Sequence, residues 1–233
     1  MPLHSLQRLS PTAVLGLWHL TETAAELWPT LPRGEAYRAL SPATADATRQ
    51  AQWLAGRALV HRLLADPGVA TAAAPADLVL QNDATGRPWL AGAAGSLVVS
   101  LSHSGHWVAA VLARGGRAGV DVEIVRDKAQ RLAGKFLNPT EWDRSRALTQ
   151  HLPATAASTH YTLLWSAKET LYKLAAQRGI LFRQQLLLDS FVPQESGEIP
   201  ATLVLAATRS RHCICYYRPA PGYVLTYCHE PAP

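Results

Sequence analysis

The stretch Ala118-Gly119-Val120-Asp121-Val122-Glu123-Ile124-Val125 alternates over its whole length. Successive side chains of an extended chain point to opposite faces, so Ala118, Val120, Val122 and Ile124 share one face and Gly119, Asp121, Glu123 and Val125 the other. The first face is entirely apolar, which predicts a strand packed on one side. The second carries two carboxylates at i and i+2. Like charges so placed repel unless a cation or a proton joins them. Two readings are open: an acidic strand face in solvent, or a site for a hard cation. Mg2+ takes oxygen ligands, typically one or two carboxylates together with substrate phosphates.

Upstream, Val14 to Leu20 is short, apolar and β-rich and predicts a strand. Ser41-Pro42 predicts a helix start, with Ser at the N-cap and Pro at the first helical position; the helix is expected to run to about Ala65 and stop before Asp66-Pro67-Gly68. Leu78 to Leu80 predicts a short strand, Asn82 to Pro88 a turn, and Leu97–Leu101 with Trp107–Leu112 a hairpin whose tip is Ser-His-Ser-Gly-His. Arg114-Gly115-Gly116-Arg117 breaks the chain near its middle. Downstream, Asn138-Pro139-Thr140-Glu141 opens a helix, with Asn as cap, Pro at N1 and Glu at N3. A polar stretch, Gln150 to Thr159, precedes a helix from about His160 to Ala176. Leu186–Val192, Ala201–Ala206, Cys213–Tyr217 and Tyr223–Tyr227 read as strands, so this half is α+β with an antiparallel sheet. Trp53-Leu-Ala55 resembles Trp165-Ser-Ala167, and Gly105-His-Trp107-Val108 resembles Gly222-Tyr223-Val224, at offsets of 112 and 117 residues. That weak repeat suggests a duplicated unit and two domains, 1–115 and 116–233, the second carrying the acidic strand.

The chain has 233 residues, 48% of them apolar and 17% charged, so it is neither disordered nor fibrous. No stretch approaches the ~18–20 apolar residues that span a bilayer, and the N-terminus lacks a signal peptide's order of segments. A soluble cytoplasmic protein is expected. The three cysteines, Cys213, Cys215 and Cys228, are no disulfide framework. The net charge of +5 suggests an anionic partner. Lys and Arg are dispersed, without a basic helix or a basic-aromatic stripe, which argues against nucleic acid.

Other residues bear chemistry. On the second helix Ser166, Glu169 and Lys173 form a stripe beside an apolar one of Tyr161, Leu164, Leu171, Tyr172 and Ala175. Glu169 and Lys173 also suit an ordinary surface pair. Lys168 falls near the apolar stripe, so it either snorkels past the core or reaches an anion. Ser100 to Gly105 offers hydroxyls and an imidazole at close range. A hydrolase triad lacks its Gly-x-Ser-x-Gly elbow, zinc lacks a C-x2-C pair, and no P-loop Lys-Ser/Thr follows Arg117.

Gly119-Val-Asp121-Val-Glu123, followed 42 residues later by Trp165-Ser-x-Lys168-Glu169-x-x-x-Lys173, resembles the paired signature of the 4′-phosphopantetheinyl transferases, of the monomeric two-lobed Sfp type. Gly86-Arg87-Pro88, Ser100-Leu-Ser102-His103-Ser104 and Phe136-Leu-x-x-x-Glu141-Trp142 match that type in its order. The resemblance runs from about Trp53 to Lys173, and more loosely to Tyr223–Cys228. It implies two similar α+β subdomains related by a pseudo-two-fold axis. It also implies transfer of the 4′-phosphopantetheine arm of coenzyme A to a serine of an apo acyl or peptidyl carrier protein, releasing adenosine 3′,5′-bisphosphate. By that likeness Asp121, Glu123 and Glu169 hold Mg2+, with Mn2+ as the alternative. Glu169, Lys173 and Lys168 are the catalytic candidates. Arg49, Arg57, Gly86, Arg87, Pro88, Ser102, His103, Lys168 and Lys173 are the candidates for coenzyme A. Glu141 matches a family position, but its place at helix N3 is reason enough for it. The stretch Ser41 to Gln52 departs from the type: it holds only Arg49 where better-studied members carry a basic cluster. A non-catalytic relative that binds coenzyme A or a carrier protein is the alternative reading.

Overall fold

Trp107 to Ala113 is buried along its whole length, as is Val14-Leu15 on the neighbouring strand. Such runs form central strands because both of their faces lose water. In the computed structural model, which describes residues 3–42, 44–93, 97–206 and 208–232, the chain divides into two compact units. One runs to Ala118 and takes back the stretch from His229; the other is Gly119–Cys228. Each has a hydrophobic core of its own.

The first unit contains β1 (Leu3–Ser10), β2 (Ala13–His19), α1 (Ala24–Leu27), α2 (Gly34–Leu40), α3 (Ala47–Leu63), β3 (Val79–Asn82), β4 (Pro88–Ala91), β5 (Leu97–Ser104) and β6 (Trp107–Arg114). Its main sheet has the order β1-β2-β6-β5, with every neighbouring pair antiparallel. β3 and β4 form a separate hairpin. α3 packs on the sheet through Leu54, Leu59, Val60 and Leu63, all fully buried. It starts later than the Ser41-Pro42 signal suggests. Asp46 is the cap, accepting the Arg49 N–H at 2.8 Å, whereas Ser41 ends α2. The expected first turn includes Ala43, which lies outside the described residues. Ser102, His103 and Ser104 are not at a hairpin tip. They pair along β5 with Ala109, Val108 and Trp107, and Gly105, at φ 56°, begins the turn. The edge strand β1 escaped the sequence reading because it buries little and lacks a continuous apolar face.

The remaining elements are β7 (Arg117–Ile124), α4 (Asp127–Phe136), α5 (Pro139–Thr149), α6 (Ala154–Ala175), α7 (Phe182–Gln185), β8 (Leu186–Leu188), β9 (Ser196–Leu205), β10 (Thr208–Tyr217) and β11 (Tyr223–Glu230). Apart from the first two residues of β7 and the last two of β11, they make the second unit. The sheet order is β7-β11-β10-β9-β8, so the acidic strand is an edge of that sheet. α5 opens as read. Asn138 Oδ1 accepts the Glu141 N–H at 2.9 Å, and a Glu141 carboxylate oxygen accepts the Asn138 N–H at 2.8 Å. α6 starts six residues before His160, at Ala154. Along these polar first turns Thr159 and Thr162 satisfy their hydroxyls within the helix, donating back to the carbonyls of Thr155 and Ser158 at 2.8 and 2.7 Å. The α+β class is as expected. Among the described residues no helix is long and apolar enough to cross a membrane.

β7 departs from its expected one-sided packing. The Gly119-Asp121 face is also buried, because α6 lies directly on it; Asp121 is 4% exposed. Gly119 permits this approach. A Cβ at that position would stand 2.2 Å from the Thr170 carbonyl oxygen and 3.1 Å from the Leu174 nitrogen. Both are helix backbone, so the helix itself would have to move. At the other end of α6, His160 is 3% exposed and its Nε2 lies 3.1 Å from Ser145 Oγ of α5. Burial pushes its pKa down to about 4.

Two measurements test this packing. Gly119→Ala is expected to destabilise the second unit by more than about 2 kcal/mol in urea denaturation, the effect of overpacking against an immobile neighbour. A shift within a few tenths of a kcal/mol would contradict the close contact. His160 has its folded pKa below the unfolded value of 6.5. The unfolded chain therefore binds more protons between those values, and stability is lost as pH falls from about 6.5 towards 4. His160→Gln is expected to flatten that slope by up to about 3 kcal/mol over the window. An unchanged slope would show that His160 is not buried as a neutral imidazole.

Candidate functional site

Because α6 rests on β7 at Gly119, residues on one face of the helix reach the strand. Asp121 receives two of them. Lys173 Nζ donates to Asp121 Oδ1 at 2.8 Å and to the Val120 carbonyl at 2.8 Å; Ser166 Oγ donates to Asp121 Oδ2 at 2.8 Å. Ser166 Oγ is 2.9 Å from Thr226 Oγ1, which is 2.6 Å from Thr170 Oγ1. With the Ser166 proton on Asp121, its oxygen accepts from Thr226, and Thr226 in turn accepts from Thr170. This ordered chain of buried hydroxyls polarises towards the carboxylate and fixes its orientation. Glu123 is held separately: Trp165 Nε1 donates to its Oε1 at 3.1 Å. The Trp165 indole stacks on Phe182 at 5.7 Å and meets Phe136 edge-on at 5.2 Å.

Glu169 stands in the same stripe, between Ser166 and Lys173. Its pKa is raised to about 7, first by burial and then by the negative charge of Asp121; Lys173 opposes the rise and Glu123 adds to it. Asp121 and Glu123 therefore both act electrostatically on Glu169. Among the described residues, however, no three His, Cys, Asp or Glu side chains gather into a group that would hold a metal. Asp121 is engaged by Lys173 and Ser166, and Glu123 by Trp165. The donor chemistry fits a hard divalent cation: all oxygen, mutually repulsive, with one acid already driven towards its neutral form.

Lys168 requires a correction. The likeness gave its ammonium to a phosphate, but the structure places it fully buried. Nζ donates to Glu141 Oε2 at 2.7 Å, to the Phe136 carbonyl at 2.9 Å and to the Phe182 carbonyl at 3.1 Å. Three donors meet three acceptors, so none is left for a ligand. Burial lowers the Lys168 pKa, and Glu141 restores part of it. Glu141 is correspondingly more than an N3 residue. It is 3% exposed, caps α5, holds Lys168 and accepts the Leu188 N–H at 2.7 Å through Oε1. The pair ties α5, α6 and β8 together.

In the first unit, Arg57 is 6% exposed and lies 3.6 Å over the Trp53 ring. Its guanidinium donates to the Trp53 carbonyl at 3.2 Å and to Asn82 Oδ1 at 3.1 Å. Burial pulls its pKa down to about 10. Asn82 Nδ2 donates to the Gly86 carbonyl at 2.8 Å, so Arg57 is linked to the Gly86-Arg87-Pro88 turn. That turn is built on Asp83, whose Oδ1 accepts from Thr85 N at 2.7 Å, Thr85 Oγ1 at 2.6 Å and Arg87 N at 3.0 Å. Gly86 takes φ 85°, a value that suits glycine. Arg49 is exposed in the first turn of α3, Ser102 is half-buried and His103 exposed on β5. Sequence reasoning missed Asn82, Thr170 and Thr226. The i, i+4 spacing of Ser166 and Thr170 was a signal for the hydroxyl chain, but its third member lies on β11.

A structural Lys168 makes a specific expectation. Lys168→Met, which strands Glu141 without its cation, is expected to destabilise the protein by about 3–5 kcal/mol, and the pairwise replacement Lys168→Met with Glu141→Gln, which removes the stranded charge and keeps an acceptor for the Leu188 N–H, by less. Chemical denaturation of the two variants checks this; a Lys168→Met protein as stable as the parent would contradict it.

A sequence model of the ACPS family, described as the 4′-phosphopantetheinyl transferase superfamily, matches residues 117–228. That span holds β7, α6 and the carboxylates Asp121, Glu123, Glu141 and Glu169. Two curated relatives are 4′-phosphopantetheinyl transferases AcpT. That of Salmonella typhimurium is 30% identical over 166 residues, covering 70% of this chain and 77% of the relative. That of Salmonella typhi is 30% identical over 167 residues, with the same coverage of each. A likeness that spans most of both chains, and a family match centred on the Asp121–Lys173 arrangement, lead to one conclusion: the chain belongs to the 4′-phosphopantetheinyl transferase superfamily.

Proposed function

We propose that this protein transfers the 4′-phosphopantetheine arm of coenzyme A to a serine of an apo acyl or peptidyl carrier protein, as a monomer of the two-lobed Sfp type. The observation that carries this reading is the grouping on one helix face of Lys173, bound to Asp121, and Glu169, with its pKa raised to about 7. In the reaction the serine oxygen forms a bond to the phosphorus next to the pantetheine arm. The bridging P–O bond breaks, and adenosine 3′,5′-bisphosphate leaves. Phosphoryl transfer of this kind is mostly positioning and charge neutralisation.

Each residue has a part in that scheme. Glu169 takes the serine proton, directly or through one water; a carboxylate poised near neutrality is suited to this work. Lys173, partly exposed, offsets charge growing on the leaving phosphate and supplies a proton donor there. Asp121, Glu123 and Glu169 would hold Mg2+ or Mn2+ through their oxygens, and the ion would supply neutralisation of pyrophosphate charge. The hydroxyl chain from Thr170 to Asp121 and the indole of Trp165 keep two of those carboxylates oriented. In the first unit, Arg87 on its rigid turn, with Gly86 and Pro88, Ser102, His103 and Arg49, supplies donors for the phosphates and surface for the adenosine. Arg57 supports that turn through Asn82.

The test is direct. The protein, coenzyme A, Mg2+ and apo carrier proteins from fatty-acid, polyketide and peptide synthesis are mixed, and each carrier is weighed by mass spectrometry. A phosphopantetheine adduct on at least one carrier is expected. Asp121→Asn and Glu169→Gln are each expected to lower the rate by about 10²–10⁴-fold, and Arg87→Ala to raise KM for coenzyme A with a smaller change in kcat. No adduct on any carrier would overturn the reading. Parental rates in both carboxylate variants would remove the site.

A further inference from the structure

The two oxygens of the buried Asp121 carboxylate have donors of different kinds. Oδ2 accepts from Ser166, a hydroxyl with no exposure that lies against Thr226. Oδ1 accepts from Lys173 Nζ at 2.8 Å, and the same nitrogen donates to the Val120 carbonyl at 2.8 Å. The hydroxyl is neutral and belongs to the core. The ammonium does not: 24% of the Lys173 side chain is exposed, against 5% for Asp121. Lys173 also stands close to the end of α6, which closes at Ala175, and carries its charge on a flexible four-carbon stem. Lys168 provides the contrast. Its ammonium has no exposure and three acceptors, so leaving would strand all of them inside the protein. Lys173 can move towards solvent. What it would leave behind is a buried carboxylate, and such a group needs another cation in its place. Two cations on one buried carboxylate repel each other, because little water screens them. The Lys173 charge also reaches Glu169, where it works against the rise in that acid's pKa. One ammonium thus acts on two of the three acids that the proposed function gives to Mg2+ or Mn2+.

Resting on that reading, we propose that Lys173 competes with the divalent cation for Asp121, and that the pyrophosphate of coenzyme A relieves the competition by taking the ammonium. Lys173 drawn to the phosphates leaves Asp121 open to the cation. Asp121 held by the cation leaves Lys173 open to the phosphates. Binding of each therefore strengthens the other, and the lysine is the element that couples them. Ser166 has no part in the exchange, since it is uncharged and keeps Asp121 in place from the core side. Lys173 is in this respect a positioning residue: it sets when Asp121 is available, in addition to what it does at the leaving phosphate.

The probe is Mn2+, followed by electron paramagnetic resonance on the full-length chain, with and without coenzyme A. No carrier protein is present, so binding is read without turnover. Lys173→Met removes the competing charge. Without coenzyme A it is expected to bind Mn2+ about fivefold to tenfold more tightly than the parent. The factor by which coenzyme A tightens Mn2+ is expected to be smaller in this variant, also by about fivefold to tenfold, within the usual range of coupling between two sites. Lys173→Arg keeps the charge and is expected to stay close to the parent in both respects. Lys173→Gln is neutral yet still able to donate to Asp121, and is expected to change in the same direction as Lys173→Met; it carries the test if the methionine variant unfolds. Mn2+ affinity equal to or weaker than the parent's in a folded neutral variant would overturn the proposal, as would an undiminished effect of coenzyme A. A parent protein that binds no Mn2+ even with coenzyme A would overturn it together with the metal site. Failure of the competition alone shows only in the variants, and failure of the metal site shows in the parent.

Discussion

The closeness of α6 to β7 is the constraint on which the second unit depends. A glycine at 119 lets the Thr170 carbonyl sit where any other side chain would begin. With the helix at that distance, Ser166 and Lys173 both reach Asp121, and Trp165 reaches Glu123. Move the helix outward by one methyl group and these short polar contacts lengthen together. Packing and chemistry are thus set by one backbone approach, and the two cannot be tuned independently.

The same helix carries two lysines with opposite fates. Lys168 points into the core, meets Glu141 and two carbonyls, and exposes no surface. Lys173, five residues on, lies on the face towards β7, with 24% of its side chain exposed. The first exchange of solvent for protein partners is complete, which makes it architectural. The second leaves part of the ammonium open to solvent beside an acid whose proton affinity is already raised. A sequence signature treats both lysines as functional letters; their burial separates them.

Much of this was legible in the residues. Period-two alternation from Ala118 to Val125 located the acidic strand, and the Asn138-to-Glu141 pattern predicted a capping box that is present. The stripe of Ser166, Glu169 and Lys173 placed three side chains on one helix face. Other features depend on long-range contacts, which spacing does not encode. The Glu141 partner lies 27 residues away, and Thr226 lies 60 residues from Ser166. Local signals also competed. Ser41-Pro42 looked like a helix start, yet Asp46 has the geometry that satisfies the first free N–H groups of α3. The apolar face of β7 suggested one-sided packing, because nothing local announces that a glycine admits a helix on the other side.

The central claim of the proposed function is that Asp121, Glu123 and Glu169 would together hold a divalent cation. Mn2+ binding followed by electron paramagnetic resonance, with Mg2+ as competitor and coenzyme A present or absent, tests it most directly. One displaceable Mn2+ per chain is expected, lost or strongly weakened in Asp121→Asn and in Glu169→Gln while both variants remain folded. Mn2+ bound with undiminished affinity by a variant lacking all three carboxylates would contradict it.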